Sequence, residues 1–129
     1  MSWDAAGAVD WREVEARAGV EPIERLQARR AALVTKAAPL RAMRDTFDAR
    51  RKERRAAIAA LIVHEQGGRD IPENRLERMS SGDPRYKQFL DEAELAFAQL
   101  VVLEQQIDAV TERINRGQAL LRYLASEPK

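Results

Sequence analysis

The sequence has no cysteine. That excludes disulfides, thiolate catalysis and cysteine-ligated zinc or iron–sulfur centres, and it fits a reducing cytoplasm. Histidine is reduced to one residue, His64, between Val63 and Glu65. An imidazole metal site needs further ligands, and no His/Glu spacing repeats around it. A histidine near a helix C-terminus, favourably placed in the helix dipole, is the simpler reading. Aromatic residues make up only 5%, too few for a β-sandwich core, which draws on aromatic and β-branched side chains. Long apolar runs are also missing. The longest, Ala56 to Val63, has eight residues, against the ~20 of a membrane-spanning helix. Met1 to Asp10 holds two aspartates and no Lys or Arg, so it does not have the pattern of a secretory or transit peptide. Gly67-Gly68 lies outside any Gly-x-x-x-x-Gly-Lys pattern, and Ser80 and Ser81 read as turn residues with no base nearby. These gaps lead us to expect no enzymatic activity, no metal and no cofactor.

What remains is charge and small aliphatics. Of the 129 residues, 33% are charged and 45% hydrophobic, with a net charge of only +1. That net figure conceals blocks. Residues 1–24 carry −4, residues 25–55 carry +8 from eleven bases and three acids, residues 56–90 balance, and residues 91–129 carry −3. Blocks of this kind usually bear on partners.

The apolar pattern predicts an all-α fold. Asp83 as N-cap with Pro84 at the first helical position opens a helix that meets no further proline until Pro128. Asp91, Glu92 and Glu94 follow, placed for the helix dipole. Apolar or small residues recur at 86, 90, 93, 97, 100, 103, 107, 110, 114, 117, 121 and 124, a coiled-coil-like seam. A helix from 84 to 125 would run about 63 Å and needs a partner. Leu26, Leu33, Ala37, Leu40, Met43, Phe47, Ile58 and Leu61 supply similar spacing over 21–66. Pro39 should kink or split that arm, and Gly67-Gly68 should end it. Asp10 and Glu13 form a capping-box-like start for a short helix, Trp11 to Ala18, stopped by Gly19. Asp70 is placed to cap a connector helix from Pro72 to Met79. The expected architecture is a short acidic N-terminal segment and helix over 1–20, then a long antiparallel helical hairpin over 21–129 with a short connector helix. Leu95, Val101, Val102 and Leu120 lie off the main seam. Together with the thinness of a two-helix hairpin, they predict a homo-oligomer that uses them as its interface.

The basic block is the strongest functional feature. Arg41, Arg44, Arg50, Arg51, Lys52, Arg54 and Arg55 crowd one stretch of helix, and arginine's planar fork suits phosphate oxygens. The competing reading is a solvated face neutralised by Glu92, Glu94, Asp108 and Glu112 of the return arm. The local excess of +8 exceeds what four or five cross-pairs offset, which favours a nucleic-acid backbone. Base stacking would need Trp3, Trp11, Tyr86 or Tyr123.

Leu76 to Leu124 resembles the C-terminal half of small helical phage proteins of the UvsY recombination-mediator type. The matching features are Gly82-Asp83 opening a long helix, acids and aliphatics from Asp91 to Leu103, and Arg116-Gly117-Gln118-Ala119-Leu120 near its end. Upstream, a basic helix ends in Gly67-Gly68-Arg69-Asp70, and the resemblance extends over roughly residues 40–125. It implies a non-enzymatic, ring-forming protein of the host cytoplasm. Such a protein binds single-stranded DNA and helps a RecA-like recombinase replace the single-strand-binding protein on it; the role expected here is to assist such a recombinase or an annealing protein. Where the family carries its basic strand-binding motif, this chain has Ala56-Ala57-Ile58-Ala59-Ala60-Leu61, so binding is expected on the arginines just before it. The alternative expectation is a helical protein-interaction module, either a phage assembly scaffold or an inhibitor of a host nucleic-acid machine.

Overall fold

A computed structural model describes residues 10–19 and 21–126, with the side chains of Trp11, Val14 and Ala18 outside that description. Five helices follow one another: α1 Trp11–Ala18, α2 Ile23–Asp45, α3 Phe47–Glu65, α4 Glu73–Gly82 and α5 Pro84–Ser126. No strand occurs among the described residues, and the fold is all-α, as the sequence predicts.

The helix ends follow local chemistry. Asp10 is extended and accepts from the Arg12 backbone N–H at 3.0 Å, while Gly19 closes α1 at φ 67°. At the end of α3 the Gly67 N–H donates to the His64 carbonyl (3.0 Å) and the Gly68 N–H to the Val63 carbonyl (2.9 Å). This paired reversal requires left-handed backbone, supplied by φ values of 78° and 75°. Asp83, also extended, accepts the Arg85 N–H at 2.8 Å and starts α5 at Pro84.

Three details depart from the sequence expectation. The arm over 21–66 runs through Pro39 and divides instead at Thr46, between Asp45 and Phe47. There the Thr46 hydroxyl donates to the Ala42 carbonyl (2.8 Å) alongside the Thr46 N–H (3.1 Å), a sharing that loosens and bends a helix. The connector helix begins at Glu73, flanked by Pro72 rather than capped by Asp70, and continues to Gly82. It thereby takes in Ser80 and Ser81, which are helical and not turn residues. The Ser80 side chain is buried, its hydroxyl donating to the Glu77 carbonyl at 3.0 Å. Asp91, Glu92 and Glu94 lie beyond the first turn of α5, where the helix dipole has already faded.

Packing groups the chain into two units, residues 1–36 with 103–129, and residues 37–102. In the first, Leu26, Val110 and Ile114 form the core, flanked by Ile23 and Leu33. Glu21 accepts from Arg29 at 2.8 Å and pairs with Arg113 at 3.3 Å. In the second, Ile58, Ile62 and Tyr86 are buried with Ile71, Leu76, Met79, Phe89 and Leu90 around them. All twelve seam positions of α5 are buried or half-buried. On the opposing arm, Leu61 is 45% exposed and Ile62 takes the inward position. The restart at Phe47 sets the α3 register as 47, 51, 55, 58 and 62.

Candidate nucleic-acid interface

The register of α3 sorts the basic cluster. Phe47, Arg51, Arg55, Ile58 and Ile62 recur at steps of three and four, so two arginines occupy the inward stripe beside aliphatic residues. Arg51 is half-buried. Its guanidinium approaches the Asp48 carboxylate at 3.7 Å, and its Nε is buried with no hydrogen-bond partner among the described residues. Arg55, also half-buried, pairs with Glu77 of α4 at 3.8 Å. Arg54 turns toward α5, its guanidinium carbon 5.2 Å from the centre of the Phe89 ring, a cation–π contact. Arg50 and Lys52 are exposed and without an ion pair among the described residues, Lys52 at the edge of the α3–α4 surface that also holds Glu73 and Glu77. Arg41 is half-buried and Arg44 exposed. Both are engaged, Arg44 with Asp45 at 4.0 Å among its contacts.

Seven expected binding residues, 41 to 55, thus lie in one packing unit, whereas Arg25, Arg29, Arg30 and Lys36 belong to the other. Within 37–102, Arg44, Arg51 and Arg55 pair with Asp45, Asp48 and Glu77 respectively. Of the acids expected to offset the block, Glu92 accepts from Gln88 at 3.2 Å, and Glu112 pairs with Arg116 on its own helix.

A shallow groove of about 270 Å³ lies between α3 and α4. Lys52 and Arg55 form one rim, Glu73 and Glu77 the other, and Ala56, Ala59, Leu76 and Ser80 the floor. Opposed charges on its rims make it a poor seat for a simple anion.

The rings of this unit are used internally. Phe47 stacks near Phe89 (6.0 Å between centres, 12°) and meets Phe97 edge-on at 5.2 Å. Tyr86 lies 6.4 Å from Phe89 and is 6% exposed. Tyr86 is therefore withdrawn from the candidate base-stacking residues: its ring fills the core under α3. Tyr123 is exposed but belongs to the other unit. Trp3 and the side chain of Trp11 lie outside the described residues.

Sequence spacing did not anticipate the clasp between the end of α3 and the start of α5. Arg85 donates to both Asp83 oxygens at 3.0 Å and to Glu65 at 2.7 Å. The Arg85 guanidinium, then its backbone N–H, holds the Asp83 carboxyl below the usual carboxylate range. Asp83, then Glu65, raises Arg85 further. This is structural chemistry, stabilising a chain reversal. His64 is exposed in the last turn of α3, and no group of three or more potential ligands assembles a metal site among the described residues.

The four residues expected at an oligomer interface are all exposed: Leu95 65%, Val101 53%, Val102 52% and Leu120 38%. The first three fall in the 37–102 unit and Leu120 in the other. No helix among the described residues is long and apolar enough to cross a membrane. The sequence matches no protein-family model, and no curated protein or solved structure shows significant similarity to it.

Proposed function

We propose that this chain is a non-enzymatic accessory protein that binds single-stranded DNA through its phosphate backbone, self-associates, and assists a RecA-like recombinase or an annealing protein in the presence of single-strand-binding protein. The observation that carries the binding is the exposed pair Arg50 and Lys52 on a helix whose neighbouring arginines outnumber the nearby acids. The recombination role rests on the resemblance to UvsY-type mediators. The exposed apolar residues Leu95, Val101 and Val102 support assembly, and assembly would repeat the cationic surface along one strand.

The direct test replaces Arg50 and Lys52 together by Ala, which keeps helix propensity high. Binding of labelled single-stranded DNA is then titrated at several salt concentrations. Two lost phosphate contacts reduce the log–log salt slope by about 1.4 for each bound subunit and weaken binding similarly for all base sequences. Unchanged affinity and slope would refute the reading. Leu95, Val101 and Val102 would then favour the second one, a helical module that docks on another protein.

A further inference from the structure

We infer that the cationic surface of α3 recognises the phosphodiester backbone alone and takes no part of its affinity from the bases. This deepens the single-strand-binding proposal and rests on it.

Proteins that hold single strands ordinarily combine cations with aromatic platforms, because every base offers a flat face to stack. The 37–102 unit holds four such rings, Phe47, Tyr86, Phe89 and Phe97, and none is among its exposed large side chains. Three ring–ring contacts lock them together. Phe89 already carries a planar cation of the basic cluster, Arg54, at 5.2 Å. A guanidinium over an aromatic face occupies the position a base would take, so stacking there would first require loss of the cation–π contact. The remaining flat side chain, His64, lies nine residues beyond Arg55 on the same helix, about 13 Å along its axis. The solvent-exposed cations Arg50 and Lys52 hold no ion pair among the described residues and are flanked by Ala49 and Glu53. A long, regularly charged strand meets charge here and no exposed aromatic ring among the described residues of this unit. The ligand class is therefore a polyphosphodiester whose bases point away from the protein.

The experiment compares two probes on the unaltered chain: a labelled oligothymidylate of about 20 nucleotides, and a strand of equal length whose sugars carry no bases. One stacked base is worth roughly 5- to 150-fold in affinity. Backbone recognition predicts dissociation constants within about threefold of each other and the same salt slope, since each neutralised phosphate releases the same counterion. Tenfold or weaker binding of the base-free strand, with firm binding of oligothymidylate, would overturn the inference and leave single-strand binding standing. Failure of both probes to bind at low salt would remove both.

Discussion

Replacing Ile58 by Ala probes whether α3 is held by the packing described. Ile58 is 2% exposed and shares its core with Ile62 and Tyr86. The change deletes three carbons, at about 0.8 kcal/mol each for transfer, and leaves a cavity that a thin core closes only in part. The expected loss is about 3 kcal/mol, within the usual 2–5 for such truncations. Leu61, one turn away on the same helix, is 45% exposed. Leu61→Ala removes half-hydrated atoms and improves helix propensity slightly, so it should cost less than about 1 kcal/mol. Urea unfolding followed by helical circular dichroism at low protein concentration separates the two. With a slope near 1.5 kcal/mol/M, Ile58→Ala lowers the midpoint by about 2 M and Leu61→Ala by well under 1 M. Equal losses for the two variants would refute the α3 register, and with it the division of the arginines into inward and outward sets.

Three further expectations follow from single residues. Asp83→Asn keeps a cap but removes the charge that Arg85 binds. Because the folded pKa of Asp83 lies below its ordinary value of 3.8, the parent's advantage is complete above that value and shrinks as pH falls through the lowered one, which melting temperatures across an acid series will reveal. Gly67→Ala, at φ 78° with open space around it, should lose about 1 kcal/mol from backbone strain alone, whereas Gly82→Ala, without positive φ, should be neutral or gain up to about 1 kcal/mol in the same unfolding assay. If assembly uses the exposed apolar face, Leu95→Glu with Val102→Glu reduces the mass seen in sedimentation, and a parent already monomeric at high micromolar concentration would dispose of that idea.

The helical seam was legible because periodicity reports burial directly. Every seam position proposed for α5 turned inward, and the caps at Asp10, Gly19, Gly67 and Asp83 sit where their side-chain or backbone chemistry requires. The break at Thr46 was hidden. Proline is the conspicuous helix breaker, yet its effect at Pro39 was absorbed within a continuing helix, while a threonine hydroxyl turned back on Ala42 marks the division. A hydroxyl's choice between solvent and its own backbone leaves no mark in composition. The register itself carries across the break, since Phe47 and Ile58 both face inward as their spacing predicts; Leu61 and Ile62 stand three and four residues beyond Ile58, both apolar, and spacing alone does not choose the buried one.

The basic cluster shows the same limit at the level of chemistry. Composition locates an excess of positive charge but treats each arginine alike, and a guanidinium can be a surface charge, an ion-pair partner or a cover for a ring. Which of these it becomes depends on residues distant in sequence: Glu77 for Arg55 and Phe89 for Arg54. Neither pairing has a spacing rule, because α4 and α5 reach α3 only through the turn at Gly67-Gly68 and the cap at Asp83. Of the seven candidate residues, Arg50 and Lys52 are the exposed pair without an ion pair among the described residues, whereas Arg51, Arg54 and Arg55 have contacts within the fold. Removing Arg51, Arg54 or Arg55 would disturb packing and charge together, so a loss of binding in those variants would carry two explanations. Removing Arg50 and Lys52 breaks no ion pair or ring contact among the described residues, which makes that pair the cleaner test of the proposed phosphate recognition.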